Sequence, residues 1–208
     1  MDALNKTELP EDLKECIRFH GHLCPGIIYG YRVAKESMRI LKLKRSGDEE
    51  VVAVCENDSC SVDALQIVLG TTSGKGNLII KNYGKNAYTV ISRNQNKAYR
   101  FSRKSFYRYL GKEKEKEEFD VLEEAVASGT ATKEQKKRQK FLKSMDLLAK
   151  PFIDIFETRE TEFAMPEYAE LAPSKACEKC GEMTMATKLK NFSGKEFCVS
   201  CFATANKP

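Results

Sequence analysis

Four cysteines near the C-terminus constrain the fold of this chain more than any other feature. Two residues separate Cys177 from Cys180 and Cys198 from Cys201, and 17 residues lie between the pairs. This spacing lets both thiolates of a pair bind one ion, and Gly181 supplies the positive φ that such a knuckle needs. It predicts a zinc ribbon, with rubredoxin-type iron or an iron–sulfur cluster as competing occupants. Because four protein ligands fill the coordination shell, the predicted Zn²⁺ site is structural.

The chain before the ribbon divides by composition into three segments, and the fold class predicted is α+β. Residues 1–102 alternate helical periodicity with short β-branched runs and predict a mixed helix and sheet core. Residues 103–164 predict a helical hairpin arm with a strand that returns to the sheet. Residues 165–176 contain two prolines and predict a linker to the ribbon at 177–208.

Local patterns predict the individual elements. In the core we expect helices at 10–19, 26–43 and 61–69, and strands at 51–55, 78–81, 87–91 and 98–101. The second arm helix should begin at a capping box formed by Thr132 and Gln135, and should bury Phe141, Met145 and Leu148. The alternation at 152–156 predicts the returning strand. In the ribbon, alternation from 183 to 189 and a turn at 191–194 predict one β-hairpin that joins the knuckles.

Charge and cysteine usage bound the environment and the partners. The net charge of +5, from 35 basic and 30 acidic residues, is too small to indicate nucleic-acid binding, and acidic residues interrupt the basic arm. No apolar stretch is long enough to cross a bilayer, and the N-terminus lacks a secretory apolar segment. We therefore predict a cytoplasmic protein without a membrane partner, in which the eight cysteines bind metal or react as thiols.

A second constellation of metal-binding residue types lies near the N-terminus. His20, His22 and Cys24 occupy alternate positions, and Pro25 suits the first turn of a helix that Cys24 would cap. Cys60 precedes another predicted helix, and both sulfurs would lie where the helix dipole favours thiolate.

These positions suggest the composition of a second site. With Asp63 one turn after Cys60, the residues His22, Cys24, Cys60 and Asp63 make a candidate cleft site for a second divalent metal. The same four residues are candidates for a reactive thiol with its base. The alternative is that these residues have only a structural role, as a pair of buried cysteines at helix starts. Cys16 and Cys55 lie on apolar patterns and are predicted to be core residues.

Four motifs resemble one known family. The sequences FHGHLCPG at 19–26, NDSCSVDALQ at 57–66, GKGNL at 74–78 and YGK at 83–85 closely resemble the FmdE-like family, which is named for a component of formylmethanofuran dehydrogenase. The resemblance spans roughly residues 15–102. It implies an α+β core, a homodimer and a cleft lined by the four candidate residues. Many relatives carry a cysteine where this chain has Thr71, and the loss of a third thiolate weakens an electron-transfer interpretation.

Three functions are compatible with these patterns and with the resemblance. The leading hypothesis is a metal-binding accessory or redox protein that associates with a molybdenum or tungsten formylmethanofuran dehydrogenase in an anaerobe. The alternative is an adaptor that binds protein or nucleic acid through the ribbon and the basic helices, nucleic acid being the less favoured partner. An enzyme that uses Cys24 as nucleophile is a third interpretation, for which the sequence offers no substrate pocket. The two-helix arm cannot bury its apolar residues against itself alone, so these residues should cover a partner or the core, and the first of these outcomes also favours a homodimer.

Overall fold

The computed structural model describes residues 9–205 and divides into two compact units, one ending at Tyr168 and the other beginning at Ala169. The first unit combines helices with a mixed sheet, and the second is a small ribbon of short strands. The α+β prediction is therefore confirmed. The boundary falls inside the predicted linker at 165–176. Residues 1–8 of the predicted core and 206–208 of the predicted ribbon lie outside the described residues.

The helices of the first unit begin and end at residues with clear local signals. They are Glu11–His20 (α1), Pro25–Ile40 (α2), Ser61–Leu69 (α3), Glu113–Ala127 (α4), Lys133–Ala149 (α5) and Phe152–Ile155 (α6). α2 begins at Pro25, as expected, and ends earlier than predicted because Lys42 adopts a positive φ of 48°. The capping box of Thr132 and Gln135 is present at the start of α5. Within residues 9–205, no helix combines the length and apolar character needed to cross a membrane.

Five strands form the sheet of the first unit. They are Val51–Cys55 (β1), Leu78–Ile80 (β2), Ala87–Ser92 (β3), Lys97–Arg103 (β4) and Phe156–Glu160 (β5), in the order β2-β1-β3-β4-β5. β1 and β2 are parallel, which requires the crossover that α3 supplies. The remaining pairs are antiparallel, and β3 and β4 form the predicted hairpin.

One face of the sheet carries the main core. Cys55, Tyr88 and Phe101 point to this face and pack with buried residues of α1, α2 and α3. The other face holds a smaller cluster of Val52, Ile91 and Ala98, against which Phe163 packs. Because strand side chains alternate between faces, the helices α2 and α3 that carry the candidate cysteines lie on the main core side.

The predicted arm packs on the core, which is one of the two surfaces that its apolar residues were expected to cover. Arg32 of α2 donates hydrogen bonds to the last carbonyls of α5, and Leu147 belongs to the main core. A local cluster of Phe119, Leu122 and Leu142, together with Tyr109, joins α4 to α5. The predicted face of α5 is confirmed in part. Met145 and Leu148 are partly buried and pack against the main core, whereas Leu142 and Leu147 are the fully buried apolar residues of the helix and Phe141 is only partly buried.

The returning strand exists, but it begins later than predicted. Residues 152–155 form the short helix α6 after Pro151, and the strand β5 starts at Phe156 and pairs with β4. Phe152 and Phe156 stack with ring centroids 5.2 Å apart, which is the one-turn spacing of a helix. The apparent alternation at 152–156 is thus a helical pair that resembles a strand pattern.

The second unit contains two short hairpins, whereas the sequence predicts one. Its elements are Ser174–Ala176 (β6), Met183–Met185 (β7), Lys190–Phe192 (β8), Lys195–Phe197 (β9) and the helix Val199–Ala205 (α7). β7 pairs with β6, which lies inside the predicted linker, and β8 pairs with β9 across Ser193 and Gly194. A 3-10 turn at Ala186–Lys188 interrupts the alternation that indicates a continuous strand.

Candidate metal centres

The four C-terminal thiols converge on one point of the second unit. Their Sγ atoms all lie within 4.8 Å of one another, and Cys180 Sγ is 3.9 Å from Cys198 Sγ. Zn–S bonds of about 2.3 Å in a tetrahedron place the sulfurs about 3.8 Å apart, so this spacing fits four thiolates on one zinc. Gly181 has the predicted positive φ, 76°, and its N–H closes the first knuckle on the carbonyl of Cys177.

Hydrogen-bond donors favour thiolate at two of the four cysteines, Cys177 and Cys198, while the neighbouring sulfurs raise the pKa of Cys201 to about 12. The N–H groups of Cys180 and Cys198 lower the pKa of the Cys177 thiol to about 6, and the N–H of Cys198 lies 3.2 Å from its sulfur. The hydroxyl of Ser200 likewise lowers the pKa of Cys198. Metals bind the deprotonated thiol, so these donors prepare the site for zinc.

A second cluster lies in the first unit, where three helices meet. Among residues 9–205, His20, Cys24 and Cys60 also place their ligand atoms within 4.8 Å of one another. His20 is the last residue of α1, while Cys24 and Cys60 are the N-caps of α2 and α3, as predicted for the cysteines. Nε2 of His20 lies 3.8 Å from Cys24 Sγ. Two sulfurs and one imidazole fit a divalent metal such as zinc and leave one coordination position open.

Asp63 acts on the imidazole from behind. Its Oδ2 lies 2.7 Å from Nδ1 of His20, and Gln66 donates to the other carboxylate oxygen. When Nδ1 carries the proton, its N–H donates a hydrogen bond to Asp63. The lone pair of Nε2 then points toward the two sulfurs. Carboxylates in this position orient metal-binding histidines and raise their basicity. The structure therefore places Asp63 behind a ligand, whereas the sequence suggests that it binds the metal itself.

The geometry brings His20, and not His22, to the cysteines. The prediction of His22 rests on an extended segment, but α1 continues through His20 and ends at Gly21 with a φ of 92°. His22 is exposed and its ring lies against that of His20, with centroids 4.5 Å apart. Partial desolvation and the neighbouring His20 lower the pKa of His22. Gly21 is the signal that could have identified His20, because glycine often follows the last helical residue.

The environment of Cys60 differs from the prediction of a ready thiolate. Burial raises the pKa of the Cys60 thiol, and the sulfur of Cys24 raises it further. Two sulfurs this close cannot both ionise at low cost unless a cation lies between them. The same proximity that opposes two thiolates therefore favours a bound metal, which supplies the missing positive charge.

Two glycines allow the helices to approach closely enough to form this cluster. A Cβ on Gly26 would lie 2.8 Å from Cys60 Cβ and 3.7 Å from Cys24 Sγ. A Cβ on Gly30 would lie 2.0 Å from the carbonyl oxygen of Ser61, so α2 and α3 pack backbone against backbone there. Glycine at these positions is a requirement of the site geometry.

The cluster opens on one side to solvent. His20, Cys60, Asp63 and Gln66 line a groove of about 500 Å³, and Ser73 forms part of its wall. The loop after α3 thus contributes to the wall of the groove. Thr71 is fully buried, and its hydroxyl donates to the carbonyl of Leu65. Thr71 is therefore a packing residue. Among the described residues it lies outside the cluster of His20, Cys24 and Cys60.

Cys16 and Cys55 belong to the main core, as their apolar patterns indicate. Both are completely buried, and burial raises the pKa of each thiol to about 12. Within the described chain, neither residue joins a metal-binding cluster. They are packing residues.

The fold and the two clusters define an α+β domain with a Cys-His site, followed by a four-cysteine zinc module. Residues 19–164 match the family model described as "FmdE, Molybdenum formylmethanofuran dehydrogenase operon". Since this match covers more than half of the chain, the protein belongs to the FmdE family. Residues 172–207 match the prokaryotic dksA/traR C4-type zinc finger, which confirms the ribbon and places its start before Cys177.

Two individual proteins are similar over most of the chain. An FmdE-like protein from Syntrophus aciditrophicus, named for a tungsten formylmethanofuran dehydrogenase, has a solved structure with a TM-score of 0.56 and 22% identity. That match covers 95% of this chain and 94% of the other, and it supports the fold. A protein from Archaeoglobus fulgidus, described as a probable S-adenosyl-L-methionine-binding protein, is 28% identical over 214 residues. The chain spans about half, 55%, of that relative's length.

Proposed function

We propose that this protein is a metal-binding accessory or redox component that binds one divalent metal in its core and one structural zinc in its ribbon. The observation that carries the proposal is the convergence of His20, Cys24 and Cys60, with Asp63 oriented behind the histidine. Structural zinc sites in proteins have four protein ligands, whereas three ligands beside a groove are typical of sites that bind a further molecule. The core cluster has the second arrangement.

The chain's own residues determine what such a centre does. Cys24 and Cys60 supply negative charge, and His20 supplies a neutral nitrogen whose orientation Asp63 maintains. A bound divalent cation acts as a Lewis acid toward a molecule in the groove. Cys60, Asp63 and Gln66 line that groove, so a small polar molecule entering it would meet two hydrogen-bonding groups beside the metal ligands.

The family description suggests the setting of this centre. Its link to a molybdenum formylmethanofuran dehydrogenase operon supports association with an oxidoreductase complex. Phe19 and Ile80 are about half exposed, and Ile80 lines the same groove, so a second copy or a partner protein could cover this side. We retain the homodimer as part of the proposal, together with the dehydrogenase as the partner to test by anaerobic co-purification.

Metal analysis of the anaerobically purified full chain tests the proposal. We expect about two metal ions per chain, one for each ligand cluster. Cys24→Ser should remove only the core metal, and Cys180→Ser only the ribbon zinc. The Cys180→Ser protein should also become sensitive to protease in its tail while residues 9–168 stay folded, because zinc stabilises so small a unit. Cys55→Ala, which removes a buried thiol outside both clusters, should retain both metals.

Cobalt substitution tests the open position of the core site. In Cys180→Ser protein the remaining cobalt lies in the core, and cyanide should shift its absorption bands by filling the open position. In Cys24→Ser protein the remaining cobalt has four thiolates, and its spectrum should not change. A Cys24→Ser protein that keeps its full metal content would refute the core site, and a cyanide response in the ribbon alone would refute the assignment of the open position.

A further inference from the structure

A second recess lies in the first unit, and it is built from residues that take no part in either metal cluster. It has a volume of about 250 Å³ and lies where the end of β4, the loop after it, α5 and α6 meet. The residues that matter for the argument are Tyr29, Arg103, Phe106, Tyr107, Arg108 and Lys150. Three cationic and three aromatic side chains thus share one small concavity.

The cations of this recess exceed the carboxylates that could neutralise them. Asp154 is the one acidic residue of its lining, and Lys150 already pairs with Asp146 at 2.6 Å. Within residues 9–205, no carboxylate lies within ion-pair distance of Arg103 or Arg108. Unpaired positive charge in a concave site attracts anions, because the low-dielectric walls reduce screening.

Arg103 is held in place with its donor fork open. Its Nε donates to the carbonyl of Ser105 at 3.0 Å, and its guanidinium lies 5.2 Å from the centroid of the Tyr29 ring. Neither terminal amino group of Arg103 has a hydrogen-bond acceptor among the described residues. A guanidinium fixed through Nε and an aromatic face retains the two parallel donors that match a phosphate or carboxylate.

Of the aromatic residues in the recess, Tyr107 is held in place by its neighbours and Phe106 is exposed. The hydroxyl of Tyr107 donates to Asp146, and the ammonium groups of Lys143 and Lys150 lie 4.5 Å and 4.3 Å from its ring centroid. Phe106 is 93% exposed, although it lines the recess. An exposed phenyl ring beside a fixed tyrosine offers a stacking surface for a planar ring.

The recess opens onto a wider and equally basic depression. Arg103, Ser105 and Phe106 line both, and the second has a volume of about 710 Å³. Lys85 and Lys104 line the second depression, to which no acidic residue of the described chain contributes. An anion longer than a single phosphate would therefore meet further positive charge outside the recess.

We propose that this recess binds a small aromatic anion of the nucleoside phosphate class. The planar ring would stack on Phe106 beside Tyr107, and the phosphate would accept hydrogen bonds from Arg103 and Arg108. The combination of an aromatic surface, an open guanidinium fork and adjoining lysines selects a ligand that has both a ring and a negative charge. A ligand with only the ring or only the negative charge would leave half of these groups without a contact.

Calorimetric titration of the full-length, zinc-loaded protein with ADP tests the proposal. Adenosine, which lacks the charge, and pyrophosphate, which lacks the ring, should each bind at least about tenfold more weakly than ADP. Arg108→Gln and Phe106→Ala alter exposed side chains and should each weaken ADP binding by about tenfold. Arg103→Gln should weaken it further. Arg18→Gln, on the exposed face of α1, is the matched control and should leave the affinity unchanged.

Specific results would overturn this assignment. No ADP binding at millimolar concentration, or equal affinity for pyrophosphate and ADP, would rule out a nucleoside phosphate as the ligand of this recess. Unchanged affinity in both Arg108→Gln and Phe106→Ala proteins, with normal circular dichroism, would place any binding elsewhere. A single-stranded oligonucleotide that competes far better than ADP would identify a nucleic-acid surface and contradict a small-ligand site. None of these outcomes depends on the core metal, which Cys24→Ser tests separately.

Discussion

Single atoms at the core site determine whether two helices can place their cysteines together. Gly26 lies in the first turn of α2, where its missing side chain leaves room for Cys60. Cys60 in turn approaches the cluster only because Gly30 lets the start of α3 rest on the α2 backbone. The geometry of the cluster thus depends on the absence of side chains at Gly26 and Gly30 as well as on the three proposed ligands.

We expect Gly26→Ala to lose the core metal while the fold remains. The added Cβ would lie 2.8 Å from Cys60 Cβ, so the sulfur must move away from Cys24. Alanine is the better helix former by about 1 kcal/mol, and any loss therefore comes from the contact and not from helix propensity. Metal content and far-ultraviolet circular dichroism measure the two effects.

Gly74→Ala is the matched control for this substitution, since a Cβ there meets nothing within 4 Å. It should retain the core metal and the helical signal. Full metal occupancy in Gly26→Ala protein would show that the site tolerates displacement of Cys60. That result would contradict the close-packing argument.

Asp63→Asn tests the orientation of His20. The amide cannot stabilise the imidazole as a carboxylate does, so the metal affinity should fall by about 10- to 100-fold. Competition with a chromophoric chelator measures this change. Asp58→Asn removes a neighbouring carboxylate that accepts a hydrogen bond from Asn82 and lies outside the cluster of His20, Cys24 and Cys60, so it should leave the affinity unchanged. Equal affinity in the two variants would mean that Asp63 does not act through His20.

At the scale of elements, the contact between α2 and α5 explains why the arm is part of the core. Nη1 of Arg32 lies 2.8 Å from the carbonyl oxygens of both Leu147 and Leu148. These carbonyls lie in the last turn of α5, where intrahelical donors run out. The guanidinium also lies 5.9 Å from the Phe152 ring centroid, which ties α6 to the same place.

Arg32→Ala should lower the free energy of unfolding by about 1–3 kcal/mol, because it leaves two helix-terminal carbonyls without their charged donor. Urea denaturation followed by circular dichroism measures the loss. Arg39→Ala, on the same helix, removes an exposed arginine that pairs with Glu36 and should leave the stability nearly unchanged, because water screens an exposed ion pair. Similar losses in both variants would contradict a specific role for Arg32.

At the scale of the whole molecule, the two units separate the two kinds of chemistry. The ribbon completes its site within 25 residues of chain, from Cys177 to Cys201, whereas the core site needs three helices. The apolar residues of the arm were expected to cover a partner or the core, and they cover one another and the core, so the arm by itself gives no further support for a dimer. The family resemblance and the half-exposed Phe19 and Ile80 remain as support for a dimer.

Light scattering at micromolar concentration should give twice the 23.5 kDa mass of the chain. Phe19→Ser should shift the mass toward the monomer, since it removes a half-exposed apolar group that precedes His20 in the chain. Val121→Ser, on an equally exposed position of α4, is the control that should leave the mass unchanged. A monomeric mass for the unaltered protein would rule out the homodimer.

The sequence by itself determined the features whose parts are near neighbours along the chain. The cysteine pairs of the ribbon, the capping box at Thr132 and the N-caps at Cys24 and Cys60 follow from local geometry, because two or three residues fix how close their atoms can come. The strands β1 to β4 and the α+β class follow from short-range periodicity for the same reason, whereas the pairings of β5 and of the ribbon strands do not. The resemblance to the FmdE family is visible in the sequence because each of its motifs is one uninterrupted stretch of residues.

Tertiary structure decided what depends on atoms far apart in the sequence. His20 and Asp63 are 43 positions apart, and only the packing of α1 on α3 makes one orient the other. The same packing selects His20 over His22, and the α2–α5 contact sets which face of α5 is buried. Periodicity indicates which side chains share one face of a helix or strand. Which surface that face packs against depends on how the whole chain packs.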